Sequence, residues 1–163
     1  FDDLKLFEFL TLETFQAGLS WITILQKREN FKEAFNQFDF EKIANFGEDK
    51  INTLLGNEGI IRNKQKIVAA INNAQRFITI REKYGTFSQY IWNFVEGKPI
   101  QNSFKTLEEI PAKTQLSEKI SKDLKQNRFQ FVGPTVIYAH MQATGIVNDH
   151  LVDCFRYKEL AFN

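Results

Sequence analysis

The only cysteine of the chain follows a histidine at a spacing that suits a metal ion. His150 and Cys154 stand at positions i and i+4 in "TGIVNDHLVDC", so on a helix they would share a face and could reach one zinc ion. A closed zinc site needs four ligands, and the chain contains one other histidine, His140, and no other cysteine. The pair therefore predicts at most half of a zinc site within this sequence.

A carboxylate and an indole lie close together in the largely apolar stretch "LTLETFQAGLSW". Glu13 near the end of a helix is typical of a solvated or capping residue, and Trp21 alone is typical of a core residue. The alternative is a buried acceptor beside an aromatic platform. Such a pair would suit a flat, cationic or N–H-bearing ligand, because the carboxylate accepts hydrogen bonds while the indole face stacks.

The stretch "NRFQFVGPT", followed by an apolar helix, has the layout of a helix-hairpin-helix motif. In that motif the N–H groups of the hairpin and of the next helix bind a phosphate without reading sequence, which makes Gly133 and Thr135 candidate DNA-binding residues. The usual Gly-x-Gly hairpin is absent, since Phe131 stands where the first glycine would be. Four basic side chains precede the hairpin turn: Lys119, Lys122, Lys125 and Arg128.

The elements that position these residues are predicted to be helices throughout. Apolar residues recur at helical spacing, and the sequence predicts helices at 62–84, 117–125 and 134–145, with a further apolar segment at 87–95. Gly18 can end one helix and Ser20 can begin the next. We find no strand pattern, and we predict an all-α compact domain over residues 1–163, with about eight to ten helices and the helix-hairpin-helix at about 115–145.

Composition limits the class of protein. The 163 residues are 43% hydrophobic and 25% charged, which is ordinary for a globular protein. No apolar run approaches the ~18 residues of a membrane helix, and a single cysteine excludes an internal disulfide, so we expect a cytoplasmic protein. The chain begins at Phe1 inside a helix-forming pattern, so we expect the natural protein to have residues upstream.

Charge is unevenly distributed along the chain. Residues 1–60 carry 6 basic and 11 acidic side chains, whereas residues 61–128 carry 13 basic and 6 acidic ones. A basic centre is compatible with a polyanionic partner, although charge alone favours the ordinary interpretation, solvated helix faces rich in lysine.

Three stretches in this order, "LETFQAGLSWITILQKRENF", "GIIRNKQKIVAAINNA" and "FVGPTVIYAHMQATGIVNDH", closely resemble the 3-methyladenine DNA glycosylase I family. The similarity covers nearly the whole chain. It implies a helix-hairpin-helix glycosylase fold and a DNA repair enzyme that excises N3-methyladenine from alkylated double-stranded DNA, acting as a monomer.

The resemblance also assigns residues. Glu13 matches the carboxylate that contacts the base, which makes it the predicted catalytic residue, and Trp21 matches the stacking aromatic. Gly18 and Leu19 match the element inserted into the duplex where the damaged nucleotide leaves.

His150 and Cys154 match two of the four structural zinc ligands of the family. The other two belong to a segment upstream of Phe1, so the implied zinc cofactor depends on residues outside this sequence.

The same resemblance bears on the reaction. In the wider superfamily, an aspartate after the second motif helix assists loss of the base. In this sequence Asn148 aligns with that aspartate, and Asp149 is adjacent. An asparagine cannot act as a general base. No lysine lies between Gly133 and Asp153 to form a Schiff base. We therefore expect a monofunctional enzyme with water as nucleophile. The alternatives are a non-catalytic DNA-binding or damage-sensing module and a helical partner-binding domain.

Overall fold

The computed structural model describes residues 2–160, and helices form most of it. The α-helices are α1 (Asp3–Gln16), α2 (Trp21–Ala34), α3 (Phe40–Ile43), α4 (Glu48–Gly56), α5 (Lys64–Tyr84), α6 (Phe87–Trp92), α7 (Gln115–Gln126), α8 (Pro134–Ala143) and α9 (Phe155–Glu159). Short 3₁₀ turns occupy Asn36–Phe38, Asn93–Val95 and Leu107–Glu109. The predicted all-α fold is confirmed.

Helix α1 lies at the centre of the fold. It contacts α2, α5, α6 and α8, and a helix that is buried on most of its circumference needs apolar side chains all round. The Phe7 ring packs edge-on against Phe77 of α5, with ring centroids 5.2 Å apart, and against Phe40 of α3 at 5.9 Å. Glu13, in the last turns of α1, therefore stands on a rigid support.

The predicted boundary between the first two helices is confirmed. Gly18 has a φ of +80°, a conformation that favours glycine, and follows the end of α1. The Ser20 hydroxyl accepts a hydrogen bond from the Thr23 N–H and caps α2. Residues 17–20, called the insertion turn below, thus form a tight connection between the two helices.

Helices α7 and α8 pack together and, with the hairpin of residues 127–133 between them, form the helix-hairpin-helix. Pro134 occupies the first turn of α8 as expected. The predicted start of α7 at Ser117 was too late, because Thr114 caps the helix through a reciprocal pair of bonds with Ser117. The predicted start of α5 at residue 62 was too early, because Asn63 caps a helix that begins at Lys64.

The all-α domain also contains one minimal strand pair, which no pattern in the sequence indicated. Strand β1 (Ile100–Gln101) pairs in parallel with β2 (Val147–Asn148). Two-residue strands are too short to produce the alternation on which a sequence prediction rests. Within residues 2–160, no helix combines the length and apolarity required to cross a bilayer.

Candidate active site

A cleft of about 800 Å³ opens between the end of α1, the start of α2 and the segment that follows α8. Glu13 and Trp21 both line it, together with Asn148, Asp149 and His150. The remaining lining residues are Gln16, Ile110, Ala139, Gln142, Ala143, Thr144, Gly145, Val147, Arg156 and Leu160. Two stretches singled out in the sequence, one with Glu13 and Trp21 and the other with Asn148 to His150, therefore meet in one concave site.

Glu13 is the buried carboxylate of this cleft. Glu13 is only 3% exposed. Within residues 2–160, no group donates a hydrogen bond to its carboxylate or forms an ion pair with it. Burial raises the pKa of the Glu13 carboxyl to about 7, because removing a carboxylate from water disfavours its charged form. The capping alternative is wrong: Glu13 is an acceptor with no partner among the described residues, and it lines the cleft.

Trp21 is the first residue of α2 and is half-buried at the cleft wall. The Ser20 cap fixes the start of α2, and the indole therefore has a defined place close to the end of α1. A carboxylate and an aromatic face lining one cleft are the groups that bind a flat, positively charged ring.

The insertion turn lies between these two residues in the chain. Leu19 is 38% exposed, and its main chain is held from both sides, since its N–H donates to the Gln16 carbonyl oxygen and its own carbonyl accepts from the Gln16 side-chain amide, each at 2.7 Å. An exposed leucine on a constrained turn suits insertion into a base stack. Its predicted DNA contact stays a prediction.

The hairpin leaves the N-terminus of α8 open. No side chain caps this helix, and Thr135 is exposed in its first turn, so its free N–H groups and the helix dipole are available to an anion. A Cβ at Gly133 would meet no protein atom within 4 Å. The fold itself does not require glycine there, whereas a phosphate approaching the main chain would.

The match to known proteins covers nearly the full length of this chain. A family model described as methyladenine glycosylase matches residues 1–157. The chain belongs to the methyladenine glycosylase family. The predicted family and the predicted class of enzyme, a hydrolase of N-glycosyl bonds, are thereby confirmed.

Individual relatives agree with this membership. DNA-3-methyladenine glycosylase of Haemophilus influenzae is 47% identical over 154 residues, which are 94% of this chain and 83% of that protein. DNA-3-methyladenine glycosylase 1 of Escherichia coli is 46% identical over 156 residues, covering 96% and 83%. The crystal structure of a variant of 3-methyladenine DNA glycosylase I in complex with 3-methyladenine matches with a TM-score of 0.92 at 37% identity, covering 94% and 83%.

The pair resembling zinc ligands of the family comes together, though not as predicted. The chain from His150 to Cys154 is not helical, because α9 begins only at Phe155. The Cys154 Sγ nevertheless lies 3.7 Å from the His150 Nδ1, close to the ~3.6 Å expected for two ligands of a tetrahedral zinc ion. Residues 2–160 contain no cluster of three metal-ligating side chains, so the pair alone does not form a closed site.

The far wall of the cleft is held by bonds that sequence reasoning missed. The Asn148 side-chain amide donates to the Gln101 Oε1 and the Tyr157 carbonyl oxygen, at 3.0 and 3.1 Å, and its Oδ1 accepts from the His150 N–H. This asparagine is therefore occupied in holding the strand pair and the turn before Cys154. That agrees with the absence of a general base at this position.

Asp149 is similarly engaged. Its carboxylate accepts hydrogen bonds from the Asn102 amide at 2.6 Å, from the Gln142 amide at 2.8 Å and from the Tyr138 hydroxyl. Tyr138 and Gln142 belong to the preceding helix α8, whereas Asn102 comes from a distant part of the chain, so its bond had no local signature. The three bonds tie the segment after α8 to α8 itself and to the loop after β1.

Proposed function

We propose that this glycosylase excises 3-methyladenine from alkylated double-stranded DNA by flipping the damaged nucleotide into the cleft. The unpartnered, buried Glu13 carboxylate beside Trp21 carries the proposal. A relative was crystallised with 3-methyladenine, which supports this base as the ligand. A buried polar group without a partner destabilises the fold, and a ligand with N–H groups would satisfy it.

Discrimination between 3-methyladenine and normal adenine would depend on the charge of the base. Methylation at N3 gives the adenine of DNA a positive charge, which weakens its glycosidic bond and attracts both the indole face and an ionised carboxylate. Normal adenine would lose the cation–π interaction, worth ~1–2 kcal/mol in a desolvated site. Flipping a base costs a few kcal/mol, least for a damaged one, so a modest difference in the cleft suffices for discrimination.

The reaction would be hydrolysis without a lyase step. Among the residues lining the cleft there is no lysine to attack the sugar as an amine nucleophile. Water is the remaining nucleophile: the base leaves with the glycosidic electron pair, and water adds to the sugar cation and loses a proton. Glu13 would stabilise the positive base in the cleft before it leaves.

The DNA would contact the protein at two places. The insertion turn would fill the space left by the flipped nucleotide through Leu19, and the hairpin with the α8 N-terminus would hold a backbone phosphate near Gly133 and Thr135. Both contacts fit on one chain, so we expect a monomer on DNA.

Release of free 3-methyladenine from methylated duplex DNA tests the proposal. We expect release by the wild-type chain and by Glu8→Gln, a matched carboxylate change on α1 outside the cleft, but not by Glu13→Gln. Intact fold is checked by circular dichroism, and Trp21 fluorescence follows binding of the free base. Release that survives Glu13→Gln would remove the role of this carboxylate, whereas duplex binding without release by wild type would favour a non-catalytic damage sensor.

Zinc binding by His150 and Cys154 is proposed separately. The distance between the Sγ and Nδ1 atoms supports two vertices of a tetrahedral site, and zinc would supply a structural cross-link there. Metal content of the purified protein, compared with that of Cys154→Ser, tests it. Equal zinc in both proteins would exclude this pair as ligands.

A further inference from the structure

Helix α5 reaches the insertion turn through a buried lysine. The Lys66 residue is 6% exposed, and its ammonium donates hydrogen bonds to the carbonyl oxygens of Phe15 at 2.8 Å and Ala17 at 2.5 Å. Helix α1 has no basic residue in its own last turn. Lys66 thus supplies, from another helix, the cation that stabilises the carbonyl end of a helix, at the point where the insertion turn begins.

The same helix holds the hairpin through two asparagines. Asn73 is buried, and its side-chain amide donates to the Gln130 carbonyl oxygen at 2.9 Å while its Oδ1 accepts from the Gln130 N–H at 2.8 Å. The Asn72 amide donates to the Arg128 carbonyl oxygen at 2.9 Å. A bidentate amide grips the main chain of one hairpin residue as a neighbouring strand would.

The hairpin needs such support. Arg128 and Phe131 have φ angles of +65° and +54°, a left-handed conformation that non-glycine residues adopt only when the surroundings impose it. A third bond, from the buried Ser121 hydroxyl of α7 to the Val132 carbonyl oxygen at 2.6 Å, completes the frame. The hairpin shape is therefore imposed by side chains of α5 and α7, in place of the usual glycine.

Lys66 and Asn73 stand on one face of α5. Seven residues are close to two helical turns, which separates them by ~10.5 Å along the axis. A helix packed along its length is the stiffest spacer available to the fold. The two turns that are proposed to contact DNA are thus bonded to a single rigid element.

We propose that Lys66 and Asn73 are positioning residues that fix the insertion turn and the hairpin at a set spacing on α5 before DNA binds. This inference rests on the proposed function, because it takes both turns as DNA contacts. It assigns different effects to the two residues. Asn73 affects affinity for the DNA backbone, whereas Lys66 affects the rate at which the flipped base is bound and released.

The asparagine is tested by Asn73→Leu, which keeps the size of the side chain and removes both bonds to Gln130, together with a 3.3 Å bond from the Asn72 amide. Gln75→Leu is the matched control, because Gln75 also donates an amide bond from α5 to a main-chain carbonyl, that of Ala44. We expect affinity for undamaged and methylated duplex alike to fall about tenfold, with a shallower dependence on salt because a phosphate contact is lost. The single-turnover rate at saturating enzyme should stay within about twofold, as in the control.

The lysine is tested by Lys66→Met, with Lys66→Arg as the conservative variant. We expect Lys66→Met to lower the saturating single-turnover rate by about a hundredfold, the effect of a ~1 Å misplacement, with duplex affinity within about threefold. Lys66→Arg should recover most of the rate, because a guanidinium also donates to two carbonyls. A purely structural role would lower stability without this division between rate and affinity.

Two results would overturn the proposal. One is wild-type duplex affinity in folded Asn73→Leu; the other is a rate in Lys66→Met equal to that of Gln75→Leu. If Asn73→Leu does not melt cooperatively, Asn72→Ala replaces it. This change removes the exposed bond to the Arg128 carbonyl oxygen and the 3.3 Å bond to the Asn73 Oδ1, and should weaken binding in the same direction. Unchanged affinity in Asn72→Ala counts equally against the proposal. Failure of the proposed function would instead appear as no base release by the wild-type chain, while the duplex-binding arm still decides the role of Asn73.

Discussion

Two carboxylates on α1 are both buried and have opposite surroundings. Glu8 accepts bonds from the Lys5 ammonium at 2.8 Å and the Arg28 guanidinium at 2.6 Å. Burial alone would raise the pKa of Glu8, but these two cations outweigh it and the pKa lies below its usual value. Glu13 has no partner in the described part of the chain, and burial raises its pKa to about 7.

The comparison separates a carboxylate that the protein pairs with cations from one that it leaves without a partner in the described residues and that we propose contacts the ligand. Both stand on the same helix and have nearly the same exposure, 7% and 3%, so burial alone does not distinguish them. What distinguishes them is whether the protein supplies the counter-charge. At Glu13 it does not, and under the proposed function the ligand would bring the charge that offsets this cost to stability.

The largest effect we expect is a gain in stability on removing the unpaired charge. Glu13→Gln should raise the free energy of unfolding by about 3 kcal/mol above pH 7, which follows from a carboxyl pKa shifted from 4.5 to about 7. The sign follows from the raised pKa: the folded state prefers the protonated acid, so wild type is unpenalised below pH 4.5 and loses stability as the pH rises to 7. Urea unfolding of both proteins at pH 4.5 and pH 8 measures the difference.

A buried histidine gives the stability of the wild-type protein the opposite dependence on pH. His140 is 1% exposed, its Nε2 bonds to the Leu6 carbonyl oxygen, and burial lowers its pKa to about 4. The contribution of neutral His140 to the free energy of unfolding is therefore present above pH 6.5 and is lost as the pH falls toward 4. Between pH 4.5 and 6.5 the two slopes cancel in wild type, and Glu13→Gln should reveal the histidine slope. Equal stability of the two proteins at pH 8 would refute the unpaired charge.

The second prediction concerns activity. If catalysis needs the ionised Glu13, kcat/KM for methylated duplex should fall about tenfold per pH unit below 7, and about a hundredfold by pH 5. Rates are measured with subtraction of base loss in the absence of enzyme. Any base release that remains detectable in Glu13→Gln should lack this fall in rate below pH 7, and Glu8→Gln should keep it. If the rate of Glu13→Gln still falls below pH 7, the fall is due to the titration of another ionisable group.

The contrast between Glu8 and Glu13 marks the limit of what the sequence could predict. The helices, the cap at Ser20, the place of Pro134 in the first turn of α8, and the cleft pair Glu13 and Trp21 follow from local periodicity, turn chemistry and motif resemblance. Whether a glutamate is paired depends on which side chains meet it across the fold. Arg28 is on another helix, and its bond to Glu8 has no local signature.

The same reasoning explains the polar residues of α5. Lys66 and Asn73 interrupt a helix face that was predicted from its alanines and isoleucines, and their partners are turns far away in the chain. A polar residue within an apolar stripe signals only that a partner exists. The identity of that partner requires the packing of α5 against α1 and the hairpin.

The smallest effects are expected at the paired carboxylate, and they sharpen the comparison. Glu8→Gln should lower the free energy of unfolding by about 1–2 kcal/mol, because charged hydrogen bonds from Lys5 and Arg28 become neutral ones. Lys5→Met should cost about 0.5 kcal/mol or less, since the Lys5 side chain is 55% exposed. Both are measured by urea unfolding at pH 7, with and without 1 M salt as a screen.

The direction of these changes matters more than their size. Neutralising one carboxylate of α1 should stabilise the protein and abolish base release, while neutralising the other should destabilise it and leave release unchanged. A stability gain in Glu8→Gln would mean that its desolvation outweighs both ion pairs, as it does in some buried pairs. The two glutamates would then be alike energetically, and only position in the cleft would make Glu13 functional.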